Sequence, residues 1–80
     1  MKLKEFEEKV GNLGLKIVRR PGQIIVADNG EIEWIIASIS SGKVCKVDTE
    51  NYYGNMIPEE VFRQLFHLLV KFAQTSIEER

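Results

Sequence analysis

The sequence predicts an α+β domain in the order α-β-β-β-β-α, built around a four-stranded antiparallel meander. Three observations lead there. An Asp-Asn-Gly-Glu turn (28–31) lies between two runs rich in Ile, Val and Trp. Asn-Gly tolerates the positive φ that a two-residue hairpin turn requires, and β-branched flanks complete the hairpin signal. Pro21-Gly22 and Ser41-Gly42 punctuate the neighbouring β-rich runs, at gaps too short for a crossover. Before and after these runs come segments whose apolar residues recur at three- and four-residue spacing, the helical period.

Residues 2–11 read as a short helix with Leu3, Phe6 and Val10 on one side. Gly11, followed by Asn12 and Gly14, is the expected left-handed cap. A helix this short depends on packing. Four strands follow, at 15–19, Gln23–Asp28, 31–40 and 43–48. Their register is set by keeping apolar side chains together. A three-residue loop at Arg20-Pro21-Gly22 and two-residue loops at Asn29-Gly30 and Ser41-Gly42 gather one core face. That face holds Leu15, Ile17, Ile25, Ala27, Ile32, Trp34, Ile36, Cys45 and Val47.

The opposite face carries Lys16, Glu31, Glu33, Lys46 and Asp48 around Val18, Ile24, Val26, Ile35, Ala37, Ile39 and Val44. A one-sided sheet alternates apolar with polar residues, so an apolar centre on the second face calls for a cover. Residues 49–57 read as a linker with a turn at Gly54-Asn55 and with Tyr52-Tyr53 against the sheet edge. Pro58 fits the first position of a helix, and Glu59 and Glu60 complement its N-terminus. This helix runs from 59 to about 75, with a wide apolar arc of Val61, Phe62, Leu65, Phe66, Leu68, Leu69, Phe72 and Ala73. Residues 76–80 are expected to fray.

Eighty residues make one domain, 1–80, with a stability of roughly 5 kcal/mol. The net charge of −1 lacks the electrostatic footprint of a general nucleic-acid or membrane-surface binder. Cys45, the only cysteine, cannot form an internal disulfide, which fits a reducing compartment. The opening MKLKEFEEKV is charged throughout and has no apolar core of a secretory signal. The most apolar stretch, 61–73, is broken by Arg63, Gln64, His67 and Lys71 and is too short to span a bilayer. A small cytoplasmic domain is the expectation.

The residues offer little to a catalyst. His67, the only histidine, lies on the polar side of its helix, where solvation is the ordinary state. Cys45 alternates into the core face, where an inert buried thiol is expected. One Cys and one His do not make a zinc site. Glu31 and Glu33 share a strand face about 7 Å apart, but a hairpin end gives no desolvated cleft to split their pKa values. GNLG (11–14) matches no phosphate-binding loop. No catalytic, cofactor-binding or metal-binding residue is therefore assigned, and no small-molecule substrate is evident.

Two binding surfaces are left. Val18, Ile24, Val26, Ile35, Ala37, Ile39 and Val44 form an apolar surface suited to a protein interface, with a second copy as its occupant in a homodimer. A closed monomer with one helix on each sheet face is the alternative. Arg19, Arg20 and Lys43 come to one end of the meander and give a basic rim, a weaker nucleic-acid reading in which Tyr52-Tyr53 would stack bases.

The stretches KEFEEKVGNLGLKI and NYYGNMIPEEVFRQLFHLLVKFAQTSIEER resemble small uncharacterised proteins encoded by phages and prophages of low-GC Gram-positive bacteria. IPEEVFRQLF and the closing TSIEER carry most of the likeness, with Ser76 standing where those relatives usually have proline. The resemblance implies a phage accessory protein in the host cytoplasm, acting on a host or phage protein, and brings no catalytic residues with it.

Overall fold

The N-terminal helix α1 (Leu3–Asn12) ends at Leu13, and Gly14, not Gly11, takes the left-handed conformation (φ +81°) that turns the chain into the sheet. In a computed structural model describing residues 1–50, 52 and 57–80, four strands follow: β1 (Leu15–Arg20), β2 (Gln23–Asp28), β3 (Ile35–Ser40) and β4 (Val47–Asp48). They pair antiparallel in the order β1-β2-β3-β4. Helix α2 (Glu59–Ala73) and a 3-10 turn (Ile77–Glu79) complete the α+β meander that the sequence predicts. The expected turn at Gly54-Asn55 and the role of Tyr53 lie outside the described residues.

Both helices lie on one face of the sheet. Phe6 of α1 stacks on Phe72 of α2 with ring centroids 4.5 Å apart. Val10, Leu65, Leu69 and Ala73 join them against Leu15, Ile24, Val26, Ile36, Ala37 and Ile39 of the sheet. Each helix therefore contributes its apolar stripe to one shared core, which is how a ten-residue helix becomes stable.

The expected faces are exchanged on β2, and most of β3 follows. Pro21-Gly22 makes a two-residue turn, with Arg20 paired to Gln23 and Gly22 at φ +77°. Proline at the second position and a positive-φ glycine at the third is the type II pattern. One residue less in this loop shifts the pairing to Ile17↔Val26 and Val18↔Ile25, and a one-residue slip sends every side chain of a strand to the other face. Ile24, Val26, Ala37 and Ile39, expected on an open interface face, are buried under the helices. Ile25 and Ala27 point to the helix-free side instead.

The second and third connections also differ from the two-residue loops expected. Residues 29–34 form the second loop, so Ile32 and Trp34 leave the core face and stand exposed. Between Val26 and Ala27 the register shifts, with Val26 paired to Ala37 and Ala27 to Ile35. The extra residue, Ile36, lets both Ile36 and Ala37 enter the helix-side core. Beyond β3, residues 41–46 loop out and β4 keeps only two residues. Cys45, expected in the core, is exposed in this loop at φ +59°, and Val44 beside it is exposed as well.

The C-terminal segment is docked where fraying is expected. Arg80 donates to the carbonyls of Ala73 (3.0 Å), Thr75 (3.1 Å) and Ser40 (2.7 Å) and lies 4.8 Å over the Phe72 ring. A guanidinium is a planar fork with five donors, so a single side chain serves three carbonyls at the end of α2 and of β3. Partial burial lowers its pKa from the ordinary value, and the Cys45 thiol opposes that shift.

Candidate protein-docking surface

The helix-free side of the sheet has its own buried pair, Ile25 and Ala27. Ile25 is flanked across the strands by Val18 and Ser38, and Ala27 by Lys16 and Ile35. Ile25 is 2 % and Ala27 1 % exposed, and neither belongs to the helix-side core. The apolar centre of this side is therefore small: Ile25 and Ala27 are buried and Val18 and Ile35 beside them are half-buried. Of the residues expected at an interface, Val18 and Ile35 stay on this side, both half-buried, and Val44 lies in the third loop. The seven do not form one patch.

Exposed apolar surface gathers instead at the second loop. Ile32 is 65 % exposed and Trp34 55 %. The loop that carries them is tied at several points. The Asp28 N–H donates to the Trp34 carbonyl (3.1 Å), and the Trp34 N–H donates to Asp28 Oδ1 (3.2 Å) and to the Ile32 carbonyl (3.0 Å). An Asp side chain binding backbone beyond its own residue is a local alternative to the strand ladder. Asp28 also packs close to Gly30, where an added Cβ would come within 3.2 Å of its carboxylate. Glu33 accepts from Lys16 Nζ at 2.7 Å, which fastens the loop to β1. Ile32 and Trp34 are therefore displayed by a hydrogen-bonded loop, with Glu31 between the turn and the apolar pair.

A second apolar strip runs along the outer flank of α2, where Phe66 is 48 % exposed and Val70 borders it. Phe62, one turn earlier, is half-buried because Tyr52 stacks on it at 3.7 Å. Tyr52 thus anchors the linker to α2, not to the sheet edge, and its hydroxyl donates to the Ile57 carbonyl. His67 is exposed between two shallow grooves lined by Phe62, Arg63 and Phe66 on one side and by Lys9, Leu13 and Leu68 on the other.

The basic rim comes together in part. The Ser41 N–H donates to the Gly22 carbonyl (3.1 Å), which places the first and third turns at one end of the sheet with Arg20 and Lys43 exposed there. Arg19 is engaged with Glu7 of α1. Beside this end, Gln23, Ser38, Ser40, Lys46 and Asp48 line a shallow recess of about 140 Å³. Among the described residues no three His, Cys, Asp or Glu side chains group closely enough to hold a metal ion. No described helix is long and apolar enough to cross a membrane.

No protein-family model, no curated protein and no solved structure matches this chain.

Proposed function

We propose that this chain is a non-enzymatic interaction module that docks another protein through the Ile32–Trp34 end of its sheet, as an accessory protein in the cytoplasm of a bacterial host. The carrying observation is the presentation of the chain's single tryptophan, more than half exposed, on a loop tied by Asp28 and by the Lys16–Glu33 pair. A large aromatic side chain on a backbone already ordered in the free protein loses less conformational freedom on binding than one on an unordered segment, and tryptophan is a frequent centre of binding energy. The test uses the chain and its Trp34→Ala variant as baits in host lysate, with circular dichroism to establish that both are folded. Proteins retained by the unaltered chain and lost by the variant, with affinity lower by about 30-fold or more, support the reading. Equal retention by both baits overturns it.

A second reading rests on the meeting of the first and third turns, which brings Arg20 and Lys43 together. Such a rim would hold a nucleic-acid backbone in a salt-dependent way. Fluorescence anisotropy with single- and double-stranded oligonucleotides at low ionic strength tests it, and absence of any change removes it.

A further inference from the structure

The turns at the two ends of the sheet carry opposite charge. Segment 28–34 holds three carboxylates (Asp28, Glu31 and Glu33) and no cation. At the other end, segments 19–23 and 41–46 hold two arginines and two lysines and no carboxylate. Part of this charge is spent internally: Glu33 on Lys16, and Arg19 on Glu7. Glu31 at one end and Arg20 and Lys43 at the other form no ion pair among the described residues. Asp48 beside Lys46 and Glu78 and Glu79 in the 3-10 turn that Arg80 draws toward Ser40 offset the positive charge around this end, so the contrast is one between the turns themselves, where Arg20 and Lys43 stand exposed.

Strands of six residues hold these ends about 20 Å apart, so the free charges cannot reach each other within one chain. They can reach each other between chains. We propose that the docking end described above takes a second copy of this chain, head to tail, with Ile32 and Trp34 of one copy seated on the Arg20-Pro21-Gly22 turn of the next. This inference rests on that docking reading and names its partner. Arg20 supplies a guanidinium to stack on the indole face, Pro21 supplies a flat apolar surface, and Lys43 faces Glu31. Joining unlike ends is a heterologous contact, which does not close on itself and adds chains in a line. Two loop ends form a small contact, at or below the lower end of specific interfaces, so assembly is weak and concentration-dependent.

Sedimentation velocity between about 10 μM and about 1 mM, at low salt and at about 0.5 M salt, tests the proposal. The weight-average mass is expected to climb with concentration past two chains at low salt and to fall back toward one chain at high salt. Because Trp34 is the only tryptophan, its emission shifts to the blue as chains join. Glu31→Lys and the double change Arg20→Glu with Lys43→Glu each weaken self-association by about tenfold or more. A mixture of these two variants restores association, because the unaltered ends of the two variants meet as in the native junction and the two reversed ends are again opposite in charge. A single-chain mass at every concentration overturns the proposal, as does a closed dimer untouched by these variants or a mixture that fails to join. If the chain stays single while Trp34→Ala still abolishes capture of another protein, only the self-docking falls. If Trp34→Ala alters neither, the docking reading falls with it.

Discussion

Replacing Arg80 with alanine removes a clamp between the end of α2 and the end of β3. In the structure its guanidinium donates to the Ala73, Thr75 and Ser40 carbonyls and covers the Phe72 ring at 4.8 Å. Hydrogen bonds contribute about 0.5–1.5 kcal/mol each, and a partly exposed cation–π contact adds about 0.5–1 kcal/mol. The sum is an upper bound, because the freed carbonyls gain water and Ala73 keeps the Cys45 N–H at 2.7 Å. A net loss of about 2–3 kcal/mol remains, a large share of a stability of order 5 kcal/mol. Urea unfolding followed by circular dichroism should show it, together with a fall in Tm of about 10–20 °C. Arg80→Lys retains the charge but not the planar fork, and is expected to recover less than half of the loss. An alanine variant within about 0.5 kcal/mol of the unaltered protein would show that surface substitutions there are neutral and that the C-terminal segment holds nothing.

Two further substitutions read the sheet faces and the third loop. Val26→Lys places an ammonium in a fully buried site beneath both helices and should unfold the domain, whereas Val18→Lys on the helix-free side should leave a folded protein destabilised by about 1 kcal/mol or less; circular dichroism of the pair separates these outcomes. Cys45→Gly relieves a left-handed conformation (φ +59°) that costs an L-residue about 1–2 kcal/mol, offset in part by the greater chain entropy of glycine, so unfolding should show a net gain of about 0.5 kcal/mol.

The order of elements was legible in the sequence because each is marked locally. Apolar spacing marks Leu3–Val10 and Val61–Ala73, and Pro-Gly and Asn-Gly mark the reversals. Orientation was not legible, because it depends on parity, and three small departures act on parity. Pro21-Gly22 turns in two residues, Ile36 is inserted as a bulge, and Asp28 captures Trp34 before the ladder reaches Glu31. Glu31, Ile32, Glu33 and Trp34 alternate as a strand should, so the pattern alone places Trp34 in the core. Asp28 immediately before Asn-Gly was the available contrary signal, since aspartate competes with the ladder for backbone N–H groups. The Arg80 anchor had no sequence signal at all: its three acceptors are carbonyls that only the fold brings together.

If Asp28 is what keeps Trp34 presented, then Asp28→Ala should change the loop far more than the fold. The lost bond to the Trp34 N–H is 3.2 Å long and exposed, so its contribution to stability is at most about 1 kcal/mol. Its effect on motion is larger, because the ties that remain are two backbone bonds at Trp34 and the Lys16–Glu33 pair, a surface contact worth about 0–1 kcal/mol. Hydrogen exchange at the Trp34 amide should rise by about tenfold, and indole fluorescence anisotropy should fall, with the melting curve almost unchanged. A loosened loop must be ordered again on binding, so the variant should also dock more weakly although every apolar atom of Ile32 and Trp34 is retained. Exchange and anisotropy equal to those of the unaltered chain would place the rigidity elsewhere. The physical reason for regarding this end as a docking surface would then be gone, leaving two exposed apolar side chains of the kind any small domain carries.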